Sequence, residues 1–202
     1  MISDRYRCIF IHIPRTAGSA IEKALVGRDW WFVNPFTKHL TARQARLLYG
    51  KRRWCEYFSF AFVRNPWDKL VSMWESNFYR RQRRKLKTFK KFVREVNRNP
   101  FEQHTLHYHQ ILDLTPDAQL SPWDSFMRSR LGQARVKFVG RFESLQVDME
   151  RVCAEIGIPA VQLPVVNRSD RRQQYREYYD DETIKIVADR FATDIKLFDY
   201  EF

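Results

Sequence analysis

Residues 6 to 25 limit most strongly how this chain can fold. The apolar run Tyr6-Arg7-Cys8-Ile9-Phe10-Ile11-His12-Ile13 breaks into Pro14-Arg15-Thr16-Ala17-Gly18-Ser19-Ala20 and leads into the amphipathic pattern Ile21-Glu22-Lys23-Ala24-Leu25. A short apolar run of this kind predicts a strand buried on both faces, and a strand turning tightly into a helix is the building unit of an α/β sheet. The order also aims chemistry at one point. About four N–H groups at a helix start lack intrahelical partners, and roughly half a positive charge gathers there. Gly18 lets the backbone approach a ligand closely, Thr16 and Ser19 offer hydroxyls, and Arg15 offers a forked guanidinium suited to phosphate or sulfate oxygens. The turn predicts a cradle for a phosphate-like anion.

That cradle is not a Walker A loop, which needs two glycines and a Lys-Ser or Lys-Thr pair; here there is one Gly and no such pair. The rest of the chain follows the same alternation. Short apolar strands are expected near residues 6 to 13, 30 to 33, 57 to 63 and 136 to 140. Between them lie helical patterns. Thr41-Ala42-Arg43-Gln44 has the spacing of a capping box, and Asn65-Pro66 opens a helix carrying Trp67, Leu70, Val71 and Trp74. Further helices are expected over Thr88 to Asn97, Pro100 to Leu112 and Glu143 to Ile156, the last closed by Gly157, with a final one from Asp180-Asp181-Glu182 through Phe191. Leu114 to Pro122 is expected to be irregular. With 202 residues and no low-complexity linker, the chain is expected to form one domain over residues 1–202.

The formal charge is +12, from 36 Lys plus Arg against 24 Asp plus Glu, so an anionic partner is expected. Cys8, Cys55 and Cys153 are an odd number without C-x-x-C spacing, which argues against a disulfide framework and a structural zinc site. Cys8 and Cys153 fall in apolar patterns and are expected in the core. The charged start, Met1 to Arg7, leads directly into the first strand, and no apolar stretch reaches the roughly 18 to 20 residues of a membrane span, so a cytoplasmic protein without a signal peptide or span is expected.

In an open α/β sheet, ligands bind beyond the carboxyl ends of the strands. The run Tyr57-Phe58-Ser59-Phe60-Ala61-Phe62-Val63 ends at Arg64-Asn65-Pro66-Trp67, and Ser72 follows in the next helix. Arg64 and Ser72 can converge on a second anionic group near the first, so the ligand expected is one charged at both ends.

At these two segments the chain resembles the carbohydrate-type sulfotransferases of the sulfotransferase family 2 type. Phe10-Ile11-His12-Ile13-Pro14-Arg15-Thr16-Ala17-Gly18-Ser19 looks like their 5′-phosphosulfate loop, and Phe62-Val63-Arg64-Asn65-Pro66-Trp67-Asp68-Lys69-Leu70-Val71-Ser72 like their 3′-phosphate motif. The likeness continues through Val139-Gly140-Arg141-Phe142-Glu143-Ser144-Leu145, Asn167-Arg168-Ser169, Tyr178-Tyr179-Asp180 and Asp199-Tyr200-Glu201-Phe202. The resemblance implies a P-loop-like three-layer α/β fold with a short parallel sheet flanked by helices. It also implies a sulfotransferase that moves a sulfuryl group from 3′-phosphoadenosine 5′-phosphosulfate (PAPS), as cosubstrate, to an acceptor hydroxyl on a carbohydrate. Carried over by position, Arg15, Thr16, Ala17, Gly18, Ser19 and Ala20 would hold the 5′-phosphosulfate, and Arg64 and Ser72 the 3′-phosphate; Asn167, Ser169 and Arg171 match more loosely. One departure stands out: the family loop usually carries Lys where this chain has Arg15, the residue expected to stabilise charge on the leaving oxygen.

Sulfuryl transfer resembles phosphoryl transfer in asking the protein for alignment, charge stabilisation and removal of the acceptor's proton, and that logic requires no metal. His39, after the second expected strand and just before a capped helix, is the first candidate for the base. Glu143 is the alternative, and His12 is expected to be a buried, hydrogen-bonded strand residue. His104, His107 and His109 cluster in sequence, but on a helix residues i and i+2 point about 200° apart, so the His-x-His pair is not expected to chelate. A place lining the acceptor pocket is the functional alternative for this cluster. The run Arg80 to Lys91 holds eight cations and no acid, and suits either a solvated helix or a collar for an anionic glycan acceptor. A basic nucleic-acid or polyanion-binding protein without catalytic activity is the competing possibility. It is disfavoured by the run's lack of aromatics apart from Phe89 and by the absence of a helix-turn-helix, zinc or RNA-recognition pattern.

Overall fold

A computed structural model describes residues 1–77, 80–98, 107–166 and 173–202. His104, Asn167, Ser169, Arg171 and the first part of the helix expected from Pro100 lie outside the described residues. The described residues form an α/β structure around a four-stranded sheet. Its strands are β1 (Ile2–Ser3), β2 (Cys8–Ile11), β3 (Phe58–Val63) and β4 (Phe138–Arg141), in that spatial order. β2 and β3 pair in parallel from Cys8 opposite Phe58 to Ile11 opposite Ala61, and β3 and β4 from Phe60 opposite Phe138 to Val63 opposite Arg141. The edge strand β1 is the exception to a parallel sheet: it runs antiparallel, with Ile2 opposite Ile9.

Because successive side chains on a strand point to opposite faces, the central strands feed two cores. Ile9, Ile11, Ala61 and Val63 pack with Trp67, Leu70 and Met73 of α4 (Pro66–Trp74) on one face. Cys8, Phe10, Phe60 and Phe62 pack on the other with Ile21 and Leu25 of α1 (Gly18–Val26) and with Met149, Val152 and Cys153 of α9 (Leu145–Glu155). This is the three-layer arrangement, and Cys8 and Cys153 are buried thiols within it. Phe60 is 0 % exposed and its ring stacks on that of Phe10 with centroids 5.0 Å apart. Truncating such a ring to alanine costs about 3–5 kcal/mol.

Local signals explain several helix starts. Thr41 accepts from the Gln44 N–H while the Gln44 side chain accepts from the Thr41 N–H, closing the capping box of α2 (Ala42–Tyr49). The Asn65 side chain accepts from the N–H groups of Trp67 and Asp68, and its own amide donates to the Glu201 carbonyl, which ties the chain's last residues to the start of α4. In between come α3 (Lys51–Glu56) before β3, then α5 (Arg80–Leu86), α6 (Phe89–Arg98), α7 (Tyr108–Ile111) and α8 (Pro122–Leu131); after α9 come α10 (Asp181–Arg190) and α11 (Ala192–Phe198). No helix among the described residues is long and apolar enough to cross a membrane.

The strand expected at 30 to 33 is not formed; Trp30–Phe32 is a 3-10 turn. Asp29 caps it by accepting from the Trp31 N–H at 2.8 Å, and the Trp30 N–H donates to buried Glu22 at 2.9 Å. Only Trp30 enters the core, leaving Trp31 57 % and Phe32 80 % exposed, the opposite of a strand buried on both faces.

Candidate functional site

A cleft of about 640 Å³ opens beyond the carboxyl ends of β2 and β3. Its first wall is the turn from β2 into α1. Arg15 (φ 68°) and Ala17 (φ 66°) both adopt the left-handed conformation that side chains disfavour. Alternating backbone conformations of this kind make an anion-binding concavity, and with the Ala20 and Ile21 N–H groups donating to the Ala17 carbonyl at 2.9 and 3.2 Å, the N–H groups it can offer at the start of α1 are those of Gly18 and Ser19. The cradle residues Ala17, Gly18, Ser19 and Ala20 all line the cleft. Thr16 does not: it is fully buried, and its hydroxyl donates to the Ile13 carbonyl at 2.9 Å, closing the turn from inside.

The second wall comes from β3 and α4. Arg64 and Ser72 line the same cleft, and both are buried. The two sequence-predicted anchors interlock. Arg15 donates through Nε and Nη2 to the Ser72 hydroxyl at 3.0 and 2.8 Å, and Arg64 donates through Nη1 to the Arg15 carbonyl at 3.1 Å. Arg64 is fixed further by its Nε on Asp68 at 2.6 Å and by the Phe142 ring, 3.8 Å from the guanidinium carbon. The third wall is apolar, made by Phe142, Leu145 and residues 163–166.

Beneath the cradle lies a buried polar network in which His12 is buried and hydrogen-bonded as expected, while its partners Glu22, Lys38 and Asp29 were absent from the expectations. His12, at the end of β2, also lines the cleft. Its ring explains Gly18: a Cβ on residue 18 would fall 2.2 Å from the ring's Nε2 and Cδ2 atoms. His12 Nδ1 lies 2.6 Å from a Glu22 carboxylate oxygen, while the other Glu22 oxygen accepts from Lys38 Nζ at 2.8 Å. Lys38 also donates to Asp29, which bonds the Ser19 hydroxyl of the cradle. Burial pushes the Glu22 carboxyl up, but the bonds from His12, Lys38 and the Trp30 N–H outweigh it and hold it below the usual range. Asp29 is held at about 2 in the same way, burial opposed by Lys38, Ser19 and the Trp31 N–H. His12 is lowered, by burial first, with Glu22 pulling the other way and Lys38 adding to the fall. The signal available in sequence was only a polar side chain at the end of an apolar strand, ten residues before an acid.

His39 stands behind His12 at the edge of the cleft rather than in its lining. The two rings meet edge to face with centroids 4.6 Å apart, and His39 Nδ1 is 3.1 Å from the His12 carbonyl oxygen. A carbonyl can only accept, so Nδ1 carries the proton and Nε2 keeps the lone pair. Burial first, with His12 and Lys38, lowers the His39 pKa to about 4, so the ring is neutral at pH 7. The alternative base, Glu143, has both oxygens engaged elsewhere: one accepts from the Asn65 N–H at 2.7 Å, the other from the Tyr200 hydroxyl at 3.2 Å.

His107 and His109 do not line the cleft. His107 precedes α7 rather than sitting within it, so the helical spacing rule does not apply and both rings approach Asp194, the three ligand atoms lying within 4.8 Å of one another. The Asp194 carboxylate caps α7, accepting from the Tyr108 and His109 N–H groups at 2.8 and 2.9 Å and lying 2.6 Å from His109 Nδ1. The basic run spans α5 and the start of α6. Arg83 pairs with Glu75 and Lys90 with Asp180 and Glu182, while Arg80, Arg81, Arg84, Lys85 and Lys87 are exposed.

Comparison with known families brings one match: the model described as the sulfotransferase family covers residues 1–201. No similar curated protein and no similar solved structure is found.

Proposed function

The chain belongs to the sulfotransferase family, matched over residues 1–201, and on that premise we propose that its cleft takes PAPS and passes the sulfuryl group to a hydroxyl of a carbohydrate acceptor. One observation carries the proposal: the Arg15 guanidinium bonds Ser72 and the Arg64 guanidinium bonds the Arg15 carbonyl, so that both face a single cleft that the start of α1 also lines. That arrangement fits a ligand with anionic groups at both ends, and the volume of about 640 Å³ lies within the range of small-molecule sites. The apolar wall of Leu145 and residues 163–166 suits the flat face of a purine.

Each residue then has a task. The cradle from Arg15 to Ala20 holds the 5′-phosphosulfate through the N–H groups of Gly18 and Ser19, with Thr16 locking the turn and Asp29 anchoring the Ser19 hydroxyl. Arg64, pre-set by Asp68 and Phe142, holds the 3′-phosphate with Ser72. His39, neutral and with its lone pair on Nε2, accepts the proton of the attacking hydroxyl. The carbohydrate acceptor is supported by the sequence resemblance, and the exposed cations of α5 suit one that is anionic. Three free cysteines, two of them buried, suit a reducing, cytoplasmic setting. The test is incubation with radiolabelled PAPS and a panel of neutral, carboxylated and sulfated oligosaccharides. Label transferred to a glycan supports the proposal, and label transferred only to other hydroxyl compounds refutes the acceptor class.

A further inference from the structure

The buried network under the cradle is unbalanced in charge. Glu22 and Asp29 are carboxylates and Lys38 is the single cation bonded to both, so with His12 neutral the set carries one net negative charge directly behind a site for a polyanion. An imidazolium at His12 would cancel it. The ring is placed for that role, with Nδ1 on the Glu22 carboxylate at 2.6 Å and the Nε2 edge against the bare α-carbon of Gly18, the first residue of α1, in the cleft lining. Arg15, which stands where the resembling loops carry lysine, commits its guanidinium to Ser72 on the opposite wall through two hydrogen bonds.

Resting on the PAPS reading of the cleft, we infer that His12, held by Glu22, is a second catalytic residue: it takes up a proton when the nucleotide's anionic 5′ end enters the cradle and donates from Nε2 to the leaving oxygen. In the transfer, the acceptor oxygen bonds to sulfur as the bond between sulfur and the 5′-phosphate oxygen breaks. The electron pair of the broken bond stays on that phosphate oxygen, where the His12 Nε2–H stabilises it. The acceptor's proton passes to His39 and then to water. The His12 proton enters from water with the nucleotide and returns when the product leaves. The coupling is reciprocal by necessity, since an anion that favours the imidazolium is itself bound more tightly by it. Four groups face His12: Glu22 of α1 favours its charge, and Lys38, His39 and the buried Met1 amine adjoin the same pair, the amine being lowered to about 5, chiefly by burial, and so neutral at pH 7.

The experiment is calorimetric titration with 3′-phosphoadenosine 5′-phosphate at pH 7.5 in two buffers of different ionisation enthalpy, which counts protons taken up on binding. The wild-type chain should take up about half to one proton more than His12→Asn, and His12→Asn should lower kcat about 10²- to 10³-fold while the nucleotide KM changes far less. Glu22→Gln keeps the ring but removes the charge supporting it. It should reduce the uptake and shift the alkaline limb of the kcat profile to lower pH, which a purely structural role would not do, and it serves as the test if His12→Asn does not fold. Tight binding with equal proton counts in wild type and variants, or an unchanged kcat in His12→Asn, overturns the role of His12 alone. Failure of the wild-type chain to bind the bisphosphate overturns the PAPS reading along with it.

Discussion

Replacing Gly18 by alanine tests whether the floor of the cradle is built as described. The new Cβ would lie 2.2 Å from the His12 ring, against an ordinary contact of at least 3.4 Å, so ring and turn must separate by about 1.2 Å. The ring has little freedom, because Nδ1 is tied to Glu22 at 2.6 Å and the side chains of both residues are 5 % exposed or less. Moving it by that amount breaks a buried charge-assisted hydrogen bond worth about 1.5–3 kcal/mol; holding it still overpacks the site at a cost of about 1–3 kcal/mol. Gly18→Ala should therefore destabilise the protein by about 2–4 kcal/mol in urea denaturation and weaken binding of 3′-phosphoadenosine 5′-phosphate. The decisive comparison is a double-mutant cycle. In a His12→Ala background the obstacle is gone, and an alanine in a helical position is better than glycine by up to about 1 kcal/mol, so the same substitution should become neutral or stabilising. Equal destabilisation in both backgrounds would refute the assignment of Gly18 to the His12 ring.

Three further outcomes are expected. His39→Ala should reduce turnover about 10²- to 10⁴-fold with nucleotide affinity nearly unchanged, measured by steady-state kinetics and titration side by side. Lys69 is fully buried with its ammonium 4.5 Å from the Tyr108 ring centroid, and burial lowers its pKa to about 8, so the charged form is penalised at pH 7 and the penalty fades as pH rises from 8 towards 10.5. Stability should rise over the lower part of that window in the wild type and not in Lys69→Met, which should itself be about 1–3 kcal/mol more stable at pH 7; a destabilised Lys69→Met would contradict this. His39 is held neutral down to about pH 4 in the native state, whereas the unfolded chain protonates it near 6.5, so stability should be lost as pH falls from 6.5 to 4, by at most about 3 kcal/mol from this group, and His39→Asn should flatten that loss in denaturation midpoints.

What could be seen in the sequence was what local chemistry decides. The strand from Cys8, the Thr41–Gln44 capping box, the Asn65-Pro66 helix entry and the convergence of Arg15 with Arg64 and Ser72 each depend on neighbours or on the rule that ligands sit at strand ends. What escaped depends on distant contacts. Trp30 to Val33 has the composition of a strand, and only the Asp29 cap and the Glu22 carboxylate turn it into a 3-10 helix. The Thr16 hydroxyl faces its own turn because the left-handed residues on either side invert it. His12 gained its place under Gly18 from the return of α1 over β2, which brings Glu22 to the ring from ten residues away. The helix over Pro122–Leu131, which was not expected, did carry a local sign, Ser121 accepting from the Asp124 N–H with Pro122 between, at the end of the stretch Leu114 to Pro122 expected to be irregular.

The most direct measurement is the affinity of the chain for 3′-phosphoadenosine 5′-phosphate beside that of AMP, in the wild type and in Arg64→Ala. A 3′-phosphate held by Arg64 and Ser72 should make the bisphosphate about 10- to 100-fold tighter, as expected for charge-assisted bonds worth about 1.5–3 kcal/mol, and Arg64→Ala should close most of that gap while leaving AMP binding nearly as it was. Equal affinities for the two nucleotides in the wild type would contradict a cleft built for a ligand charged at both ends.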